Sequence, residues 1–304
     1  MKKAFKEINF KPASHALLVQ CSSIIAEFQA QGLLMTLRQL YYQLVSRDII
    51  PNIPRSYKNL GSLVSDGRLA GILDWSAIED RGRQPILCSE FTGLEQLVDA
   101  ACHSYRLPRW ADQENYVELW VEKDALSGVL RPLASRYHVT MMVNKGYSSQ
   151  SAMHESANRF IENCEGGKKP ILLYLGDLDP SGEDMVRDIE ARLKLFGVNS
   201  DDGVVNYDID VRKIALTPEQ VEQYNPPPNP AKMTDTRAAA YVAEHGSSSW
   251  EVDALPPNVL NQLIIEAVEE LVDLDMYEAV KAKEELGKDE LRKATKKLVK
   301  KLKE

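Results

Sequence analysis

The chain has 304 residues, of which 44% are hydrophobic and 27% are charged, and its formal net charge is −8. This length favours two domains, and the apolar content excludes a disordered protein. The negative charge argues against a protein that coats nucleic acid non-specifically. We find no apolar run of about 18 residues that would predict a membrane span.

The cysteines and the first residues point to the cytoplasm. The four cysteines lack the CxxC spacing of a zinc site, so we expect reduced thiols rather than a disulfide framework. The opening segment MKKAFKEINFKPAS has lysines but no apolar stretch behind them, and it does not resemble a secretory signal. Residues 1–110 hold 13 Lys and Arg against 10 Asp and Glu, so the first part of the chain can face phosphates.

Three helices are predicted at the start of the chain. Apolar residues from Leu17 to Phe28 recur at helical spacing, and Gly32 follows as a stop. A second helix begins after Thr36, a suitable N-cap, and a third covers SYKNLGSLVSDGRLAG. Two strand-like segments, GILDWSAI and QPILC, then flank a charged turn at 79–83.

Three helices followed by a basic hairpin is the order of a winged helix, whose third helix and wing commonly contact DNA. We therefore predict a winged-helix domain, helical with a small β wing, over residues 1–112. An ordinary small helical domain is the alternative. The candidate phosphate contacts on this domain are Lys58, Arg68, Arg81 and Arg83.

From Tyr116 the pattern becomes an alternation of strands and helices. The predicted strands are YVELWVEK, VTMMVNKG, KPILLYLGDLDP and NYDIDVRKIAL, and amphipathic helices separate the first three and follow the third. This order predicts an α/β domain over 113–304 with a mainly parallel sheet and a site at the carboxyl ends of the strands. Further helices from Thr234, Pro257 and Asp275 form a C-terminal extension. Its lysine-rich end is most simply a solvated helix, although contact with DNA or a partner is an alternative.

Acidic residues end two of the predicted strands. Glu122 ends the first strand, and Asp177 and Asp179 end the third, so all three fall at one sheet edge. Clustered carboxylates require a cation, and oxygen ligands suit Mg²⁺ or Mn²⁺. Ser181 and Lys145-Gly146 can meet phosphate oxygens near this edge. Asp-x-Asp alone also occurs in haloacid-dehalogenase phosphatases, in some glycosyltransferases and in simple loop caps.

These motifs resemble a Toprim domain, the module of topoisomerases, primases and several nucleases. The segments VEKDALSGVL and LGDLDPSG, with Gly146 between them, match its pattern of a glutamate closing one strand and Asp-x-Asp closing a later one. The resemblance implies that Glu122 is a metal ligand or general acid/base and that Asp177 and Asp179 hold Mg²⁺. Glu251 or Asp253 adds a further acidic group, with a looser match.

The second helix carries a candidate nucleophile. Helical spacing places Tyr41 in the apolar stripe and Tyr42 on the polar side beside Arg38, so we expect Tyr42 to be exposed. A cationic neighbour favours the phenolate that a tyrosine nucleophile needs. Thr-x-Arg-x-x-Tyr-Tyr is similar to the nucleophile motif of topoisomerase VI A subunits, the type IIB family that includes a meiotic double-strand-break enzyme. The resemblance implies that the second tyrosine, Tyr42, attacks DNA.

Together, these motifs and the resemblance predict a Mg²⁺-dependent transesterase that forms a phosphotyrosyl link to double-stranded DNA. The resemblance implies a homodimer, in which the tyrosine of one subunit works with the carboxylates of the other, and a separate GHKL-type ATPase subunit. Two alternatives remain. A Toprim nuclease would hydrolyse DNA or RNA without a covalent intermediate, and a non-catalytic winged-helix protein would only bind DNA.

Overall fold

The computed structural model describes residues 2–78, 88–198, 208–231 and 233–303 of the chain. Its α-helices are α1 (Pro12–Ala30), α2 (Leu37–Ser46), α3 (Pro54–Leu69), α4 (Leu94–Ser104), α5 (Ser127–Tyr137), α6 (Gln150–Glu165), α7 (Pro180–Leu195), α8 (Pro218–Tyr224), α9 (Ala238–His245), α10 (Pro257–Glu269) and α11 (Leu274–Lys303). Its strands are β1 (Asn115–Val121), β2 (Thr140–Val143), β3 (Lys169–Leu175), β4 (Asp210–Ala215), β5 (Asn229–Pro230) and β6 (Ser248–Ser249). Helices and a parallel sheet are both present, so the predicted α/β class is confirmed.

Helices α1, α2 and α3 pack around an N-terminal core that includes Leu18, Ile24, Leu40, Leu44 and Leu60. Thr36 is the N-cap of α2, as predicted. Its hydroxyl accepts from the backbone N–H of Gln39, and the Gln39 side chain accepts from the Thr36 N–H in return. This reciprocal capping box fixes where the tyrosine-bearing helix begins.

The prediction of a strand at the start of the wing is wrong. Residues 71–78 form turns, and their only pairing within the described chain is an isolated bridge between Met35 and Ile78. The Arg68 guanidinium donates to the carbonyls of Trp75 and Ile78, so a side chain satisfies backbone groups that a strand partner would otherwise bind. The remainder of the predicted wing, including Arg81 and Arg83, lies outside the described residues.

The central sheet has the strand order β2-β1-β3-β4, and every neighbouring pair is parallel. One face packs against α5 and α10 through residues such as Leu119, Leu173 and Ile264. Trp120 and Tyr174 point to the opposite face and pack with Phe160 of α6. Because both faces are covered, the carboxyl edge is where polar side chains of this sheet can reach solvent.

Helix α4 was not predicted, and it is one of the elements against which the C-terminal extension packs. It packs against α11, where the Cys102 thiol meets the carbonyl of Lys288. The buried Glu284 carboxylate of α11 accepts from Arg109 and from Lys288. The Arg109 and Lys288 donors hold the pKa of Glu284 at about 2, although burial acts in the opposite direction. The lysine-rich segment therefore begins as a packed helix rather than a fully solvated one.

Candidate active site

Of the three acids predicted to meet at this edge, Glu122 and Asp177 are in direct contact. Val121 and Leu175 are aligned partners at the ends of β1 and β3, so the residues that follow them leave the sheet side by side. The Glu122 N–H donates to the Leu175 carbonyl at 2.8 Å, and Glu122 Oε2 accepts from the Asp177 N–H at 2.9 Å. Parallel pairing alone brings these two acids, 55 positions apart, into direct contact.

Asp177 and Asp179 have different local roles. Asp177 Oδ1 accepts from the Val252 N–H at 2.8 Å and lies 2.8 Å from the Lys123 ammonium. Asp179 is the N-cap of α7, where its Oδ1 accepts from the N–H groups of Ser181 and Gly182 at 3.0 and 2.6 Å. Gly182 is required at this turn because a Cβ there would lie 2.3 Å from the Asp177 carbonyl oxygen.

The electrostatics at Glu122 reflect this crowding. Burial raises the pKa of Glu122 to about 7, and the negative charge of Asp177 adds to the shift. Burial also raises the pKa of Asp177, against the opposing effect of Lys123. A cation placed among these carboxylates would relieve the repulsion that raises both pKa values.

The donor chemistry of this edge fits magnesium, which prefers carboxylate oxygens. Each of the three acids uses one oxygen in the contacts described above, which leaves the second oxygen of Glu122, Asp177 and Asp179 as the candidate ligand atom. Within the described ranges, no group of three or more histidine, cysteine, aspartate or glutamate side chains is already arranged to hold a metal ion. Magnesium would therefore require side-chain adjustment, in which Lys123 moves relative to Asp177.

Lys123 follows Glu122 in the motif VEKDALSGVL, from which the sequence predicts no role for it. Its ammonium lies 2.8 Å from Asp177 Oδ1, 2.8 Å from Glu251 Oε2 and 3.1 Å from Asp253 Oδ1. Burial lowers the pKa of Lys123, but the charges of Asp253 and Asp177 outweigh it, and the net shift is upward. Lys123, the residue that follows Glu122, thus supplies positive charge at this edge, and the Lys213 ammonium, which donates to the Asp177 carbonyl at 2.8 Å, adds a second cation.

Arg38 joins α2 to the same group of charges. Its guanidinium forms an ion pair with Glu251, and its Nε lies 3.0 Å from Asp253 Oδ2. The Asp253 side chain is 0% exposed, so Lys123 and Arg38 together compensate a fully buried carboxylate. Glu251 and Asp253, for which the sequence indicated only a loose match, are among the residues through which the two parts of the chain meet.

The prediction that Tyr42 is exposed is wrong: it is 4% exposed, about as buried as Tyr41. Within the N-terminal part alone, the side of α2 that carries Tyr42 is polar. The 3-10 turn Val252–Ala254 packs against α2 and covers that side. Tyr42 still adjoins the charged group, because the Arg38 guanidinium carbon lies 5.9 Å from its ring centroid. Burial, followed by the charge of Asp253, raises the pKa of Tyr42, whereas Arg38 and Lys123 act to lower it.

Replacing Lys123 by methionine is expected to lower the free energy of unfolding by about 3 kcal/mol, because it removes the ion pair of the buried Asp177 carboxylate and leaves buried Asp253 with Arg38 alone. Urea denaturation of the whole chain measures this change. Lys145→Met is the matched control, since the Lys145 side chain is 69% exposed and pairs only distantly with Asp124. Equal destabilisation by the two substitutions would contradict the structural role of Lys123.

Asp179 allows its capping role to be separated from metal binding. Asp179→Ala removes the cap of α7 and should lower the free energy of unfolding by about 1 kcal/mol. Asp179→Asn should keep most of that stability, because asparagine caps helices equally well. Both variants should bind Mg²⁺ more weakly in isothermal titration calorimetry. Unchanged Mg²⁺ binding in both would remove Asp179 from the proposed ligand set.

The remaining predicted phosphate contacts are distributed over the molecule. Lys58 is exposed on α3, whereas the Arg68 guanidinium is occupied by backbone carbonyls. Lys145 and Gly146 form a left-handed turn after β2, at φ of 55° and 86°, on the edge that carries Glu122. The Ser181 hydroxyl donates to Asp179 Oδ1 at 2.8 Å. Lys145, Gly146 and Ser181 thus lie around the carboxylates, and Lys58 lies on the N-terminal helices.

Neither protein-family models nor curated protein sequences give a match to this chain. The resemblance to Toprim domains and topoisomerase VI A subunits therefore depends on the motif residues alone. Among the described helices, none is both long and apolar enough to cross a membrane.

Proposed function

We propose that this chain is a magnesium-dependent DNA transesterase that resembles the A subunit of topoisomerase VI, with a winged-helix part and a Toprim part. The observation that carries the proposal is the charged group that joins Tyr42 to the carboxylate edge. Arg38 contacts Glu251 and Asp253, and Lys123 connects the same two acids to Asp177. A tyrosine, two cations and an acidic sheet edge in one group match what phosphoryl transfer requires.

In the proposed reaction, the Tyr42 oxygen attacks a backbone phosphorus and the bond from phosphorus to the 3′ oxygen breaks. The phenol loses its proton and the displaced 3′ oxygen gains one, so the net reaction exchanges one phosphodiester for another. Arg38 is placed to favour the phenolate and to offset negative charge on the phosphate. The resemblance implies that Glu122 is a metal ligand or general acid/base, and its contact with the Asp177 N–H places it at the carboxylate edge for either role.

Glu122, Asp177 and Asp179 would hold the Mg²⁺, with Mn²⁺ as a substitute. When bound, the ion would stabilise negative charge on the phosphate and on the leaving oxygen. Lys145, Gly146 and Ser181 surround the same edge and would contact neighbouring phosphates. Because one tyrosine cuts one strand, a break in double-stranded DNA requires two copies of the chain, and we include a homodimer in the proposal. The contacts described above lie within one chain, and the pairing of Tyr42 with the carboxylates of the other copy is what the resemblance implies. A separate GHKL-type ATPase subunit is the further partner that the resemblance implies.

The burial of Tyr42 favours one second candidate, a Toprim nuclease that uses activated water. In that case the tyrosine would be a structural residue and Mg²⁺-dependent cutting would leave no protein on the DNA. The two functions separate when supercoiled plasmid is incubated with protein and Mg²⁺ and then quenched with detergent. Transesterification predicts linear or nicked DNA that carries protein, and hydrolysis predicts cut DNA that is free of protein. Salt-sensitive binding without cutting would contradict both.

A further inference from the structure

A cleft of about 430 Å³ opens beside Tyr42, between the start of α3 and the segment around β5. Its inner part is lined by the buried rings of Tyr41 and Tyr42. Its outer part is lined by Ile53 and Tyr57, which are 47% and 39% exposed. The cleft is within the size range of small-molecule sites, and it is too narrow for a DNA duplex to enter.

The aromatic rings of the cleft support each other. The ring centroids of Tyr41 and Tyr57 lie 5.3 Å apart in an edge-to-face contact, and those of Tyr41 and Tyr42 are also 5.3 Å apart. The Tyr41 hydroxyl donates to Asn52 Oδ1 at 2.9 Å, which holds Tyr41 in place. Tyr57 therefore presents an exposed ring on a rigid support, as in proteins that stack nucleic-acid bases.

Most polar groups that line the cleft already form hydrogen bonds or ion pairs within the chain. The Asn52 amide donates to the Pro228 carbonyl at 2.8 Å and to Asn229 Oδ1 at 3.0 Å. Arg38 also lines the cleft, but its guanidinium is paired with Glu251 and Asp253. Few donors or acceptors thus remain to read the edge of a particular base, which favours stacking without sequence preference. The exposed cations Arg55 and Lys58 lie in the same first two turns of α3 as Tyr57, outside the cleft lining, and add positive charge to this surface of the chain.

We propose that this cleft binds one unpaired nucleobase of the DNA strand, stacked on Tyr57. The proposal rests on the proposed function, because the cleft adjoins the candidate nucleophile. A base held there would place its own phosphate near Tyr42. Since a paired base must first leave the duplex, the cleft would favour DNA that is already distorted at the bound position.

The test is equilibrium binding of duplexes in EDTA, where no cleavage is required. One duplex carries a bulged 2-aminopurine and the other is fully paired. The whole chain should bind the bulged duplex about tenfold more tightly, as expected for one base stacked on an aromatic ring, and should quench its 2-aminopurine fluorescence. Tyr57→Ala should lose both effects, and Tyr57→Phe should retain them.

Phe91→Ala is the matched control, because Phe91 is an exposed aromatic residue outside the cleft and should leave both effects unchanged. Bulge preference and quenching that survive in Tyr57→Ala would overturn the base-binding cleft. The test is separate from the chemistry. Quenching that depends on Tyr57 without any covalent product would support the cleft and reject the transesterase, whereas a Tyr42 adduct with unchanged bulge preference in Tyr57→Ala would do the opposite.

Discussion

Tyr42→Phe is expected to reduce covalent protein–DNA linkage by at least about a thousandfold, the scale of loss when an enzyme nucleophile is removed. Phenylalanine keeps the ring that packs on Tyr41 at 5.3 Å between centroids, so the fold and DNA affinity should be nearly unchanged. The measurement is the yield of detergent-stable protein–DNA adduct, with DNA affinity measured in parallel.

Tyr41→Phe provides a control on the same helix. The Tyr41 hydroxyl donates to Asn52 and lies 3.3 Å from the Ile53 carbonyl oxygen, and Tyr41 is not the predicted nucleophile. This variant should form adducts within a fewfold of the original chain. Adduct formation that persists in Tyr42→Phe and disappears in Tyr41→Phe would assign the chemistry to the other tyrosine.

Glu122→Gln is expected to reduce Mg²⁺-dependent DNA cleavage by about a hundredfold or more, because it removes a charged oxygen from the proposed metal site. The same substitution should stabilise the metal-free fold at pH 8. It removes a buried negative charge beside Asp177 while keeping an oxygen that can accept from the Asp177 N–H. Loss of activity with gain of stability is typical of a functional residue.

The pH dependence of this gain follows from the pKa of about 7 at Glu122. In the unfolded chain the carboxyl loses its proton near its ordinary value of 4.5, whereas in the fold it keeps the proton until about pH 7. The original chain therefore loses stability as pH rises between these two values, by up to about 3 kcal/mol above pH 7. Below pH 4.5 Glu122 is protonated in both states, and the advantage of Glu122→Gln should disappear.

Urea denaturation at pH 4.5 and pH 8 without divalent metal measures this difference. Glu190→Gln is the matched control, because Glu190 lies on the same helix, α7, and pairs with Lys194 rather than with a residue of the carboxylate edge. It should keep cleavage activity and show no gain at pH 8. A Glu122→Gln variant that is less stable than the original chain at pH 8 would contradict the crowded carboxylate edge.

Features set by neighbouring residues in the sequence were predictable. The capping box at Thr36 places the start of α2 correctly, and the apolar runs before Glu122 and Asp177 locate both strand ends. Once the two strands are parallel neighbours, the meeting of these acids follows from sheet geometry. The winged-helix and Toprim assignments stay predictions.

Features set by distant residues were not predictable. Helical spacing identifies the face of α2 that meets its own core, but not that a turn at Val252–Ala254 covers the opposite face and buries Tyr42. The contact between Lys123 and Asp253 joins residues 130 positions apart, and no local sequence pattern predicts it. The turns at 71–78 replace a predicted strand because Arg68 binds the backbone carbonyls there.

The most direct test of the central claim is to identify the residue that carries DNA. The chain is incubated with plasmid and Mg²⁺, the product is digested with nuclease and trypsin, and the peptides are analysed by mass spectrometry. We predict a nucleotide attached through a phosphodiester to Tyr42 in the peptide that follows Arg38. Cleaved plasmid with unmodified Tyr42, or a nucleotide on another residue, would contradict the proposed transesterase.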